Sequence, residues 1–184
     1  MIDIETMGSG PQAAIVAIGA CYFDIETGEI EKTFECTINL TSSALYGDID
    51  PETVKWWLNQ SHEAQQEIVT ASMSLYEGLK RLSHFVTSNA DQPKIAVWAN
   101  APSFDCTILK SAYESCVGPD EAPWQFWNEN CCRTIISLAE LITGVNYKKN
   151  RPFKTGVKHS ALADAMHQAG YVSDAYQALK NYQK

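Results

Sequence analysis

The opening residues Met1-Ile2-Asp3-Ile4-Glu5 alternate apolar and acidic side chains. A β-strand has a period of two, so Asp3 and Glu5 face the same side, about 7 Å apart along the strand. Two carboxylates on one face of an otherwise apolar strand are costly unless that face meets metal, other cations or water. The fold must therefore deliver compensation to the first strand.

The following segments say what packs around it. Gly8-Ser9-Gly10-Pro11 breaks the first strand. Residues 13–24 form a long apolar run, residues 26–29 are turn material, and residues 33–40 resume a strand pattern, which predicts an antiparallel meander. Helices follow. Asp50 and Pro51 mark one start, Ser61 caps a second through about residue 70, and Ser74 with Glu77 forms a capping box for a third over 75–87. Residues 95–99 are wholly apolar, as expected of a central buried strand. A helix from Asp105 carries Ile108, Leu109, Ala112, Tyr113 and Cys116 as its apolar stripe. Further helices are expected over 135–143, 160–169 and 174–182, with Gly170 stopping one and Ser173 capping the next. The pattern predicts an α/β domain: a mixed sheet of about five strands, the first three antiparallel, flanked by helices.

A length of 184 residues suits one domain, 1–184, and 45% apolar content supports an ordinary core. No apolar run approaches a membrane span, and an acid at position 3 argues against a secretory signal, so a cytoplasmic protein with no membrane partner is expected. A strand bearing functional acids ordinarily extends further on its N-terminal side, so the natural start is expected upstream of Met1. The six cysteines include no CxxC and no zinc spacing, which favours reduced, buried thiols.

Net charge is −8, which argues against a general polyanion binder. The basic residues are not evenly spread, however. Lys148, Lys149, Arg151, Lys154 and Lys158 are five of the 14, and no acid lies between Asn146 and Lys158. An acidic body with one basic loop suits an anionic substrate gripped locally, although a solvated surface loop gives the same pattern.

Asp105 follows the central strand and Asp164 follows the basic loop. Singly, each acid has a plain structural use: Asp105 as an N-cap, Glu5 as an edge charge, Asp164 as complement to a helix dipole. If the first and central strands are neighbours, all four converge. Converging carboxylates call for divalent cations, and hard oxygen donors suit Mg²⁺ or Mn²⁺. Two such ions are a standard device for phosphodiester hydrolysis. His159 precedes Asp164 by five residues, about 140° around a helix, so it belongs to the loop end, from which it can act as general base. His62, His84 and His167 read as surface or helix-face residues.

Asp3-Ile4-Glu5-Thr6, Asn100-Ala101-Pro102-Ser103-Phe104-Asp105 and His159-Ser160-Ala161-Leu162-Ala163-Asp164 resemble, in order and spacing, the three motifs of DEDDh-type 3′→5′ exonucleases, DnaQ-like enzymes of the RNase H-like fold. The Glu-Thr-Met-Gly opening is similar to that of phage and prophage members described as exodeoxyribonuclease VIII or as exoribonucleases. The resemblance implies that Asp3 bridges both cations, that Glu5 and Asp164 hold the one on the nucleophile side, that Asp105 acts through water, and that His159 is the base. It also places the terminal nucleoside near Thr6, Met7 and Gly8, and the penultimate nucleotide against Asn100 and Phe104. Lys148, Lys149, Arg151 and Lys158 would meet phosphates. Of the adjacent Trp56 and Trp57, one is expected in the core and the other is a candidate stacking platform.

The expected activity is release of nucleoside 5′-monophosphates from the 3′ end of single strands or 3′ overhangs, with DNA favoured. RNA trimming is the enzymatic alternative, and a nucleic-acid-binding module on the same fold is the non-enzymatic one. The intact set of five catalytic-type residues argues against the last. A homodimer is compatible with the sequence.

Overall fold

Alternation along β1 (Ile2–Thr6) buries Ile2, Ile4 and Thr6 on one face and turns Asp3 and Glu5 to the other. The computed structural model describes residues 1–88, 95–153 and 160–182. β1 pairs antiparallel with β2 (Ile15–Phe23), which pairs antiparallel with β3 (Ile30–Thr37). Next come α1 (Leu40–Ser43), α2 (Pro51–Leu58), α3 (His62–Thr70) and α4 (Leu75–Thr87). β4 (Val97–Ala99) leads into α5 (Asp105–Cys116), and β5 (Glu129–Cys131), parallel to β4, leads into α6 (Cys132–Thr143). α7 (Tyr147–Asn150) and α8 (Ala161–Lys180) complete the order. The five strands among the described residues match the expected mixed α/β architecture, but they form two sheets, antiparallel β1–β2–β3 and parallel β4–β5, in place of the single sheet expected. β4 packs beside β1, which brings the start of α5 to the acidic strand.

The expected N-caps form, although the Glu77 carboxylate pairs with Arg81 and leaves only the Ser74 half of the expected capping box. The Asp50 carboxylate accepts from the Glu52 N–H at 2.9 Å, and the Ser61 and Ser74 hydroxyls accept from Ala64 and Glu77. One side of the sheet packs Ile4, Ile18 and Ile38 against Leu79 and Leu82 of α4 and Leu109 of α5. The other side receives α6 and α8 through Ile136, Ala165, Ala169 and Val172. The cysteines form no disulfide, as expected.

Two further expectations need correction, and one strand has no reading of its own in the sequence. β3 begins earlier, at Ile30, and gives way to the short helix α1. β5 is only three residues, Glu-Asn-Cys, too short and polar to announce itself. The C-terminal segment is one helix of 20 residues, not two. Gly170 does not stop it; a Cβ there would overlap the Arg151 guanidinium, so the glycine serves a close approach. Ser173 does not cap; its hydroxyl donates to the Ile25 carbonyl at 2.9 Å and ties α8 to the turn after β2. Packing along the helix outweighs glycine's poor propensity of about 1 kcal/mol.

Gly19 decides where α8 sits. It lies opposite Asp3 in the β1–β2 register, hence on the same face of the sheet. A Cβ at Gly19 would collide with the backbone of Ala161 and Leu162, so the first turn of α8 rests directly on β2 beside Asp3. Gly19→Ala is therefore expected to destabilise the protein by about 1–3 kcal/mol, the range for overpacking a rigid contact. Gly10→Ala, where a Cβ meets nothing within 4 Å, should stay within about 0.5 kcal/mol of wild type in the same urea titration.

Candidate active site

β1 supplies Asp3 and Glu5, and the first turn of α8 supplies Asp164. One carboxylate oxygen from each lies within 4.8 Å of the others. Asp105, 4% exposed at the start of α5, sits deeper and outside this group of three. These acids floor a cleft of about 430 Å³ whose walls include Asn100, Phe104, Arg133, Lys148, Gln168 and Tyr171.

Burial raises Glu5 to about 9, and the charges of Asp3, Asp164 and Asp105 push the same way. Asp3 is driven well above the usual carboxylate range by burial and then by Asp105, against the pull of its hydrogen bond from Gln168. Burial also lifts Asp105, to about 6, while backbone hydrogen bonds from Asp105 itself, Ala101 and Ile4 favour its ionised form. Without compensating charge, the cluster holds protons at neutral pH. Three convergent carboxylates under electrostatic stress are a fitting donor set for hard divalent cations such as Mg²⁺ or Mn²⁺.

The sequence-derived candidates divide. Asp3, Glu5, Asp105, Asp164, Asn100, Phe104 and Lys148 meet at this cleft. His159 and Lys158, with Lys154, lie outside the described residues. Thr6, Met7 and Gly8 are buried and do not line the cleft. Met7 packs with Val16 and Trp57 in a separate small core, so its expected contact with a base is replaced by a structural one. The Thr6 hydroxyl donates to the Gly8 carbonyl at 2.7 Å, and the Trp57 indole donates to the Thr6 carbonyl at 2.9 Å. Trp57 is thus the core member of the pair, and Trp56 is 42% exposed. Lys149 is exposed on α7. Arg151 is engaged by Asp174 of α8 at 2.6 Å, so it ties the basic loop to the helix instead of facing substrate.

Sequence reasoning missed four cleft residues. Gln168 donates from Nε2 to Asp3 Oδ1 at 2.7 Å. The Tyr171 hydroxyl donates to Asn100 Oδ1 at 3.4 Å. Arg133 projects from the first turn of α6. His167, expected at the surface, lines the cleft between Phe153 and Tyr171. Its pKa is lowered, by burial first and then by Arg151, against the opposing charge of Asp164. Asp164, His167, Gln168 and Tyr171 stand at i, i+3, i+4 and i+7, so one helix-face pattern would have found three of the four.

The fold that carries this acid cluster is one shared with solved exonucleases. The protein is similar in fold to E. coli exonuclease I, solved as a zinc-bound complex with single-stranded DNA, at a TM-score of 0.63, 17% identity and 99% coverage of this chain. The chain spans only 40% of exonuclease I. A full-length 3′-exonuclease matches at a TM-score of 0.52 and 14% identity, over 96% of this chain and 80% of that one. The exodeoxyribonuclease of Enterobacteria phage T4 is 28% identical over 163 residues, 77% of this chain and 72% of that protein. Residues 1–176 match the Rv2179c-like 3′-5′ exoribonuclease domain, and the chain belongs to that family.

The acid cluster predicts a pH dependence of stability. Folding raises Glu5 from its ordinary 4.5 to about 9, so the folded state holds a proton that the unfolded chain releases between those values. Stability of the metal-free protein then falls as pH rises through that window. Glu5→Gln removes this contribution and should leave the variant progressively more stable than wild type from pH 5 to 8 in EDTA. Urea denaturation across that range measures the gap, and a constant difference would contradict the assignment.

Proposed function

We propose that the protein hydrolyses phosphodiester bonds at the 3′ end of single-stranded nucleic acid or 3′ overhangs in the cytoplasm, releasing nucleoside 5′-monophosphates with two Mg²⁺ or Mn²⁺ ions. The observation that carries this reading is the convergence of the Asp3, Glu5 and Asp164 oxygens within 4.8 Å on a fold of the exonuclease class. Bound divalent cations would supply the charge that stabilises the transferring phosphoryl group and would ease deprotonation of the attacking water. Asp3, Glu5 and Asp164 would hold them. Asp105 supports the cluster from behind and acts through water. Gln168 fixes one oxygen of Asp3 and leaves the other free to turn into the cleft. His159 takes the proton from the attacking water. Asn100 and Phe104 orient the penultimate nucleotide, and Lys148, Lys149 and Lys158 face phosphates.

The phage relative and the exonuclease I–DNA complex support DNA as substrate. The description of the family supports RNA trimming as a second reading. End-labelled single strands of both kinds, digested in parallel with Mn²⁺ and with EDTA, separate the two. Activity should vanish in chelator and return with Mn²⁺. Asp3→Asn and Asp164→Asn should each lower the rate about a hundredfold or more, in keeping with loss of preorganised charge at a reacting centre. Hydrolysis that persists in EDTA would refute the metal-dependent reading.

As general base, His159 should impose an acidic limb on the pH–rate profile. His159→Ala should flatten that limb and slow the chemical step more than binding. An unchanged limb in the variant would remove the base role from His159.

A further inference from the structure

Among the described residues, six basic side chains of this acidic protein are already committed. Lys55, Lys80, Arg81, Lys110, Arg151 and Lys180 each pair with an acid. Arg133 and Lys148 make no ion pair among the described residues, and both line the carboxylate cleft. Lys148 Nζ lies 5.9 Å from the centre of the Tyr171 ring, and the Arg133 charge acts on both Tyr171 and Asp105. Arg133 is exposed beside the cleft. Two uncommitted cations beside a cluster of acids, yet bound to none of them, are placed for an anion that comes from outside.

The strand register says which anion. β4 packs against β1, and β5 pairs with β4 so that Ala99 lies opposite Cys131. Moving from the acids of β1 to the neighbouring β4–β5 pair, the cleft meets Asn100 after β4 and then Arg133 after β5. Asn100 and Phe104 are the residues assigned above to the penultimate nucleotide. The group one step further from the acids is the phosphate on that nucleotide's 5′ side.

We propose that Arg133 and Lys148 together bind the phosphate one linkage upstream of the scissile one. This inference rests on the exonuclease reading and extends it: the protein recognises three nucleotides and two phosphates, and a dinucleotide is a poor substrate because it lacks the second phosphate. The cations act in binding, so their loss raises KM and leaves kcat nearly unchanged.

The test uses oligonucleotides of whichever sugar type the protein degrades, each with one neutral methylphosphonate at the second or the third linkage from the 3′ end. Release of the terminal nucleotide is followed with Mn²⁺. Neutralising the second linkage should lower kcat/KM about tenfold for the wild type, the scale of one lost charge-assisted hydrogen bond. The double variant Arg133→Ala, Lys148→Ala should lose a similar factor on the unmodified strand, through KM. Combining the two should add no further loss, whereas neutralising the third linkage should affect both proteins equally. Arg133→Lys in an otherwise wild-type protein, which keeps the charge, should retain most of the activity. Losses that multiply at the second linkage, or coupling that appears at the third, would overturn the phosphate assignment while the wild type remains a working exonuclease. A wild type that releases nothing from any unmodified strand would instead overturn the exonuclease reading beneath it.

Discussion

Burial of a group of carboxyls in a partly dewatered cleft, with mutual repulsion added to it, is the constraint around which the structure is arranged. Asp3 and Glu5 are forced onto one face by strand alternation, and Asp164 is pressed against them by the seat of α8 on β2. Asp105 adds a fourth charge from beneath, held by backbone hydrogen bonds. Such crowding works against folding, and packing elsewhere has to offset it. That offset is visible as two apolar layers, Leu79, Leu82 and Leu109 on one side of the sheet and the small residues Ala165 and Ala169 on the other. The small residues have a second use: they let α8 approach closely enough for its acid to reach the acids of the strand.

The same helix links the two chemical halves of the cleft. Asp164 faces the carboxylates, Gln168 holds Asp3, Tyr171 reaches Asn100, and Asp174 clamps the basic segment through Arg151. A break at Gly170 would have separated these functions into two independently placed helices. As one rigid rod, α8 fixes the acidic floor and the cationic wall relative to each other. In a chain of net charge −8, Arg133 and Lys148 thus stand as local positive charge beside the acidic floor.

Much of this was legible in the sequence where the signal is local. The caps at Asp50, Ser61 and Ser74 depend on a hydroxyl or carboxylate and an N–H three or fewer residues away, and all three form. Strand alternation placed Asp3 and Glu5 together, and the spacing of three motifs brought Asp105 and Asp164 to them. What depends on distant partners was not legible. Gly170 reads as a helix stop until Arg151 lies over it, and Met7 reads as open until Trp57 covers it. Reading the helix as ending at Ala169 also hides Tyr171, which shares a face with Asp164, His167 and Gln168. β5 carries no apolar pattern, so Arg133, positioned by it, had no signal of its own.

The central claim is that protonated, crowded carboxyls give up their protons to divalent cations. Titration calorimetry of Mn²⁺ into metal-free protein at pH 7, repeated in buffers of different ionisation enthalpy, tests it directly. Glu5 is raised to about 9 and Asp3 is raised well above its usual range, so binding should release about one proton or more per protein. The observed heat should then change with the buffer. Binding whose heat is the same in every buffer, or no binding at all, would contradict the account.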